Sequence, residues 1–258
     1  MPRWNGLLPA PPPRERARLE LMDEPARFPE EEIRRALRDL ARVNRVFGNR
    51  SLLLRHLRAL TRGVSRDGEL LLLDIGTGGG DLPAAVAAWA KREGRRVYQI
   101  AMDRSPEILR HAADRLRGSA RVGILRADAL RLPLADGSVD IAFCSQVLHH
   151  LPDAAAAAVL GEMGRVSRLG WIVSDLRRGR LACFLTRLAM RLVSRSPMIR
   201  FDGPLSIRRA FTLDEYRRLA REAGADGAAV RKHRFFRAAI VWRRGARAMM
   251  PIPAAIGT

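Results

Sequence analysis

Residues Leu70 to Pro83, LLLLDIGTGGGDLP, place an apolar run, a lone Asp74 and a cluster of glycines in one short window. The apolar run reads as a strand buried on both faces, since a short continuous apolar segment bounded by turn residues suits a covered sheet. The glycines end it, and DLPAAVAAWAKR resumes at helical spacing with Asp81 as its expected cap. A strand, a glycine turn and a helix in succession demand a crossover connection, which restricts the chain to an α/β architecture.

The alternation continues downstream. RRVYQIAMD is a strand, and SPEILRHAADRLR a helix with Ser105 as cap and Pro106 at its first position. RVGILRAD and VDIAFCSQ are strands, DAAAAAVLGEMGRV is a helix begun at Asp153, and WIVSDL is a fifth strand. Leu181 to Val193 form an amphipathic basic helix whose apolar stripe predicts core packing on the N-terminal helices, LSIRRAFT reads as a loop, and TLDEYRRLAREAG is a helix between Thr212 and Gly224. AAVRKHR and FFRAAIVWR form a closing hairpin. Upstream, Ile33, Leu37, Leu40, Val43, Val46 and Phe47, then Leu53, Leu57 and Leu60, fall at helical spacing around a break at Gly48 and Asn49. The expected fold is therefore a Rossmann-like, doubly wound, mostly parallel seven-stranded sheet with a C-terminal antiparallel hairpin and an N-terminal helical cap. Residues 1–22 are expected to be disordered, 23–64 to form the cap, 65–245 the main domain with a lid insertion at 181–210, and 246–258 a tail.

Composition excludes several classes. With 258 residues and a hydrophobic fraction of 47%, the chain can bury one full α/β core. It has no apolar run of transmembrane length, and the start MPRWNGLLPAPPPRERARLE lacks the apolar core of a signal peptide, so a cytoplasmic protein is expected. Its 2 cysteines, Cys144 and Cys183, lie far apart and suggest neither a disulfide framework nor a zinc site; no metal is expected. The net charge of +20 would ordinarily point to a polyanion. Its basic residues, however, are nearly all arginines scattered over helix faces among acids, without interleaved aromatics to stack on bases, so nucleic acid is disfavoured as a partner. A basic protein that binds or modifies RNA stays as the reading from another class, distinguished by a steep salt dependence.

Ligands of open α/β sheets lie beyond the carboxyl ends of the strands. No Lys-Ser or Lys-Thr pair follows the glycines, so they are not a P-loop, and the third place of a dinucleotide fingerprint falls on Asp81, a carboxylate where a pyrophosphate would lie. What is left is Asp74-x-Gly76-x-Gly78-x-Gly80, with Thr77 between the glycines. This suits a ligand carrying an ammonium, a carboxylate and a bulky body close to backbone, as S-adenosylmethionine does. The pattern resembles motif I of the class I S-adenosylmethionine-dependent methyltransferases. Asp103 ends the second strand, where an acid can accept both ribose hydroxyls, and Ala127-Asp128-Ala129 ends the third, where the family places an acid that accepts from the adenine amino group. The stretch LRLPLADGSVDIAFCSQVLHHLPD resembles the family's next segment. The resemblance is close over Leu70 to Asp175. It implies S-adenosylmethionine as cofactor, held by Asp74, Gly76, Thr77, Gly78, Gly80, Asp103, Arg104, Asp128, Ala129 and Ser145.

His149 and His150 follow the fourth strand and Asp175 ends the fifth, so the resemblance brings all three to the edge of the cofactor's sulfonium. In similar small-molecule O-methyltransferases such residues accept or position a hydroxyl proton, for which an imidazole is suited; the alternative is an imidazole that hydrogen-bonds backbone at a turn, and Leu148 and Leu151 beside it put His150 slightly ahead. No Asn-Pro-Pro-aromatic segment stands after the fourth strand, which weakens nucleic acid further as a substrate. LMDEP, ALRDLARVNRVFGN, SDLRRGR and LSIRRAF resemble bacterial methyltransferases of polyketide, phenolic-lipid or quinone pathways. The expected acceptor is the hydroxyl of an aromatic, polyketide-like or phenolic small molecule, of lipophilic character. Carbon methylation of a quinone precursor is the alternative, and a cofactor-binding subunit without activity a third. Arg208 and Arg209 either orient an acidic acceptor or serve as salt-bridge partners, and the basic helix over 181–193 either packs as a lid or lies on anionic lipid.

Overall fold

The computed structural model describes residues 11–245; residues 1–10 of the segment expected to be disordered and the tail expected over 246–258 lie outside them. After two short 3-10 turns (Leu21–Asp23 and Pro25–Arg27) come two α-helices, α1 (Glu30–Val46) and α2 (Asn49–Leu60), hinged at Gly48, whose φ of 73° ends the first pattern. There follow β1 (Glu69–Ile75), α3 (Asp81–Arg92), β2 (Arg96–Asp103), α4 (Pro106–Leu116), β3 (Val122–Arg126), β4 (Val139–Ser145), α5 (Asp153–Val166), β5 (Ser167–Leu176), α6 (Arg180–Val193), α7 (Pro197–Arg209), α8 (Leu213–Glu222), β6 (Ala229–His233) and β7 (Arg237–Arg243).

The strands form one 7-stranded sheet in the order β3-β2-β1-β4-β5-β7-β6. Strands β1 to β5 run parallel, and β7 inserts antiparallel between β5 and β6. Chain order therefore reverses between β1 and β4, and at such a switch point the connections leave to opposite sides and open a crevice. The expected α/β fold is the observed one. The two-residue period of β1 divides its apolar residues between two cores. Leu70 and Leu72 join Leu53, Leu57, Val86 and Trp89 on the face covered by α2 and α3. Leu73 and Ile75 join Leu160, Met163 and Leu219 on the face covered by α5 and α8.

Four expectations are corrected. LSIRR of the expected loop LSIRRAFT is the end of α7: Ser196 caps the helix by accepting from the Ile199 amide, and Gly203 is tolerated mid-helix because α6 packs there, where an added Cβ would meet Met190 Cγ at 2.6 Å. Tertiary packing overrides the weak helix propensity of the Gly203-Pro204 pair. Helix α3 is capped by Gly80, with Asp81 its first helical residue. Residues 11–22 are packed rather than disordered: Glu20 is buried, and the Arg14 guanidinium stacks 3.6 Å from the centre of the Phe211 ring while donating to Asp153 Oδ1 at 2.6 Å and the Leu151 carbonyl at 2.8 Å. Ion pairs and carbonyls satisfy what the segment's composition could not bury. Finally, α6 turns Ala182 and Met190 inward but leaves most of the apolar stripe expected to be core exposed.

Candidate functional site

The glycine turn sits at the carboxyl end of β1. Gly76 has φ 70°, and a Cβ there would meet Val147 Cγ2 at 2.4 Å, so only glycine lets the β4–α5 connection approach. Gly78 has φ 55° with nothing within 4 Å of where its Cβ would be, which leaves its backbone open to a ligand. At the end of β2, Asp103 accepts from the Gly78 amide at 3.1 Å and from the Ser105 amide at 3.1 Å, so one carboxylate fixes both the glycine turn and the start of α4. Burial pushes the Asp103 carboxyl above its ordinary value, and these amides offset the shift only in part. Asp128, beyond β3, accepts from the Leu130 amide at 2.9 Å and is exposed.

These residues line one cavity of about 880 Å³. Gly76, Thr77, Gly78, Asp103, Arg104, Asp128, Ala129 and Ser145 form one side of it, and His149 and His150 another. Five of the expected site residues do not line it: Asp74, Gly80, Asp175, Arg208 and Arg209. Asp74 lies one layer behind the turn, its oxygens and the Thr77 hydroxyl buried without hydrogen-bond partners, and burial, reinforced by Asp81 and Asp103, pushes its carboxyl up to about 8.

The histidines differ sharply. His149 is buried, with Nδ1 2.6 Å from Asp175 Oδ1 and its own amide donating to Asp175 Oδ2 at 3.3 Å. Burial alone would raise Asp175, but the His149 ring beside it and the Leu176 amide hold it below the usual range, so it is an acceptor only. It therefore accepts from His149 Nδ1, which turns Nε2 away from Asp175 to lie 3.6 Å from Glu20 Oε1. His150 has Nδ1 2.6 Å from Asp23 Oδ1, and although burial opposes its charge, Glu20 and Asp23 lift it to about 9. His150 is thus a cation at neutral pH and a donor, which removes the preference given to it as a base. Glu20, His149 and His150 bring ligand atoms within 4.8 Å of one another, as a metal triad would. Here the positive charge is supplied by protonated His150 and by Arg209, whose Nε lies 3.7 Å from Glu20 Oε1.

A family model described as a methyltransferase domain matches residues 72–170. Two demethylmenaquinone methyltransferases are similar: that of Roseiflexus castenholzii is 32% identical over 60% of this chain and 54% of its own length, and that of Roseiflexus sp. is 35% identical over 42% of each. The chain thus spans about half the length of these curated relatives. Among solved structures, an S-adenosylmethionine-dependent methyltransferase from Aquifex aeolicus superposes with TM-score 0.56 at 16% identity, covering 84% of this chain and 98% of its own. A family 2 O-methyltransferase from Planctomyces limnophilus, in complex with apigenin, gives 0.61 at 19% identity, covering 85% of this chain and 62% of its own. The profile match spans the glycine turn and the acids at the ends of β2 and β3. Residues 72–170 thus match a methyltransferase domain, and the chain shares its fold with S-adenosylmethionine-dependent methyltransferases of known structure.

The residues present fit S-adenosylmethionine, the cofactor that the sequence resemblance implies. Gly78 leaves room for a ligand beside its backbone, and the Asp103 carboxylate and the exposed Asp128 line the same cavity, so acceptors suited to hydroxyl and amino groups stand in its wall. Asp74 fits differently from expectation, as a carboxyl behind the turn rather than a group in the cavity.

Several residues around the cavity escape sequence reasoning. Asn49 donates to Ser145 Oγ at 2.7 Å and accepts from Ser174 Oγ at 2.6 Å, while Asn44 accepts from Asn49 at 3.1 Å and from Gln146 at 2.7 Å. This buried polar net bolts the α1–α2 hinge to the ends of β4 and β5, and it holds Gln146 at φ 57°, a conformation rare outside glycine. Arg209 is not free to meet an acceptor: it is buried and donates to the His150 carbonyl at 2.8 Å, the Arg18 carbonyl at 2.8 Å and Asp23 at 3.2 Å. Arg208 is exposed and pairs with Glu15 at 3.1 Å. The sequence signal for Glu20 and Asp23 was the acid pair flanking LM in ELMDEP, unexplained by any helix cap of α1.

Proposed function

We propose that the chain transfers a methyl group to the hydroxyl of an aromatic or phenolic small molecule, with His149 as the general base. The observation that carries this reading is the buried His149–Asp175 pair at 2.6 Å, whose imidazole lines the same cavity as the glycine turn and is held by Asp175 at Nδ1. Bound S-adenosylmethionine would supply an electrophilic methyl on a sulfonium. The protein's own part is to hold the acceptor, take its hydroxyl proton at Nε2 and stabilise the resulting imidazolium through Asp175. Protonated His150 and Arg209 fix the turn that carries the base and add positive potential for the phenolate left behind. Such proton transfer is worth about 10² to 10⁴ in rate, with alignment of acceptor and methyl supplying much of the rest.

The names of the Roseiflexus relatives favour a second reading, carbon methylation of a quinone precursor. The same base would serve, removing a proton from a phenol so that its ring carbon becomes the nucleophile. The test is a screen of phenols, flavonoids and hydroquinones with S-adenosylmethionine, following S-adenosylhomocysteine release and assigning the product by proton NMR as an O-methyl or a ring methyl. His149→Gln should abolish turnover and keep S-adenosylhomocysteine affinity. Turnover of that variant at the wild-type rate would overturn the role given to His149.

A further inference from the structure

Nothing among the described residues covers the outward face of α6. Leu181, Phe184, Leu188 and Leu192 are 56%, 67%, 51% and 79% exposed. At 100° per residue they form one stripe with Leu185, which is 39% exposed and also lines the cavity. Met190, on the opposite side of the helix, is buried against α7, and Ala182 is buried at the flank of the stripe. The stripe is bordered by cations. Arg187 and Arg191 run along one edge, and Leu192 shares a cleft with Arg35, Arg42 and Arg195 at the helix end. Among the described residues Arg35, Arg187, Arg191 and Arg195 take part in no ion pair, whereas Arg42 pairs with Asp39.

We infer that α6 lies in the surface of an anionic phospholipid bilayer, with the stripe among the acyl chains, the arginines on the headgroups and the cavity mouth opening at the interface. Charge selects this occupant. A second copy would bring the same ring of arginines onto itself in a chain of net charge +20, whereas anionic headgroups neutralise it. Depth agrees as well: no helix among the described residues is long and apolar enough to cross a membrane, so the contact is with one leaflet. The cavity mouth adds Leu19 and Phe235, 53% and 48% exposed, both lining the cavity as Leu185 does. An acceptor dissolved in the leaflet would thus meet apolar side chains all the way to the cavity. This last point rests on the proposed methyltransferase reading; the bilayer contact does not.

The experiment is co-sedimentation of the full chain with vesicles of phosphatidylcholine alone and with one part in three phosphatidylglycerol, beside Leu188→Gln/Leu192→Gln, two exposed positions outside the cavity. Binding to the anionic vesicles, little to the neutral ones, and a loss of roughly tenfold or more in the double variant are expected from removing buried leucine area. Circular dichroism and S-adenosylhomocysteine titration of the same samples show that the variant is folded, and separate failure of the surface from failure of the cofactor site. Absence of binding to anionic vesicles overturns the inference, as does equal binding by the double variant, which would reduce the contact to charge alone. A wild-type dimer that the double substitution dissolves would also overturn it and assign the face to a second copy.

Discussion

Replacing Asp175 by Asn tests the base assignment with a perturbation of a single atom. Asp175 Oδ1 accepts from His149 Nδ1 at 2.6 Å and from the Leu176 amide at 2.7 Å, and Oδ2 accepts from the His149 amide at 3.3 Å. All three neighbours donate, so an amide cannot satisfy them in either orientation. With its oxygen at the Oδ1 place, its NH₂ meets the His149 amide; flipped, the NH₂ meets the Leu176 amide and drives the imidazole proton from Nδ1 to Nε2. Either arrangement leaves a buried donor unpaired, at about 1–3 kcal/mol. Either also removes the negative charge that stabilises the imidazolium, and the flipped form blocks the base outright. We expect Asp175→Asn to lower the melting temperature by a few degrees, to leave S-adenosylhomocysteine affinity within about threefold, and to cut kcat by about 10² to 10⁴ with little change in KM for the cofactor. Single-turnover methyl transfer to a phenol found in the screen measures it, across pH 6 to 9. A folded Asp175→Asn protein that turns over within threefold of wild type would refute the assignment of His149 as an oriented base.

Asp103→Ala removes the acceptor at the end of β2 and frees the Gly78 and Ser105 amides; cofactor binding should weaken by about 1.5–3 kcal/mol for each charge-assisted hydrogen bond lost, read by calorimetric titration with S-adenosylhomocysteine. Asp74 gives a pH prediction. Its carboxyl stands at about 8 in the folded chain against 3.8 ordinarily, so the folded state holds a proton that the unfolded state releases, and the stability this contributes is present at low pH and lost as pH rises from about 4 through about 8. Wild type should therefore lose melting temperature relative to Asp74→Asn between pH 5 and 8; a difference that does not vary with pH would contradict the buried, neutral carboxyl. Asn49→Ala strands Ser174, Ser145 and Asn44 in a buried net, and should cost about 1–3 kcal/mol in urea unfolding. Gly76→Ala puts a methyl 2.4 Å from Val147 Cγ2 at a left-handed φ, and should destabilise by at least about 1 kcal/mol while displacing the turn that carries His149.

The sequence by itself determined the sheet, the glycine turn and the acids at the strand ends. These follow from local rules: a two-residue apolar period, glycines where φ must be positive, and caps such as Ser105 and Thr212 that accept from amides three residues on. Local rules do not say which polar group meets which across the fold. His149 and His150 are adjacent and chemically identical in the sequence. Only the tertiary structure separates them, because β5 brings Asp175 to one and the segment ahead of α1 brings Asp23 to the other. The same holds for Arg209, whose three acceptors lie more than 50 residues away along the chain, and for the Asn44–Asn49 net, whose partners sit on β4 and β5. It holds in reverse for α6, where the apolar spacing was legible but not the absence of a covering element. Composition and periodicity report what a residue needs; long-range topology decides which partner, carboxylate, carbonyl or open solvent, it is given.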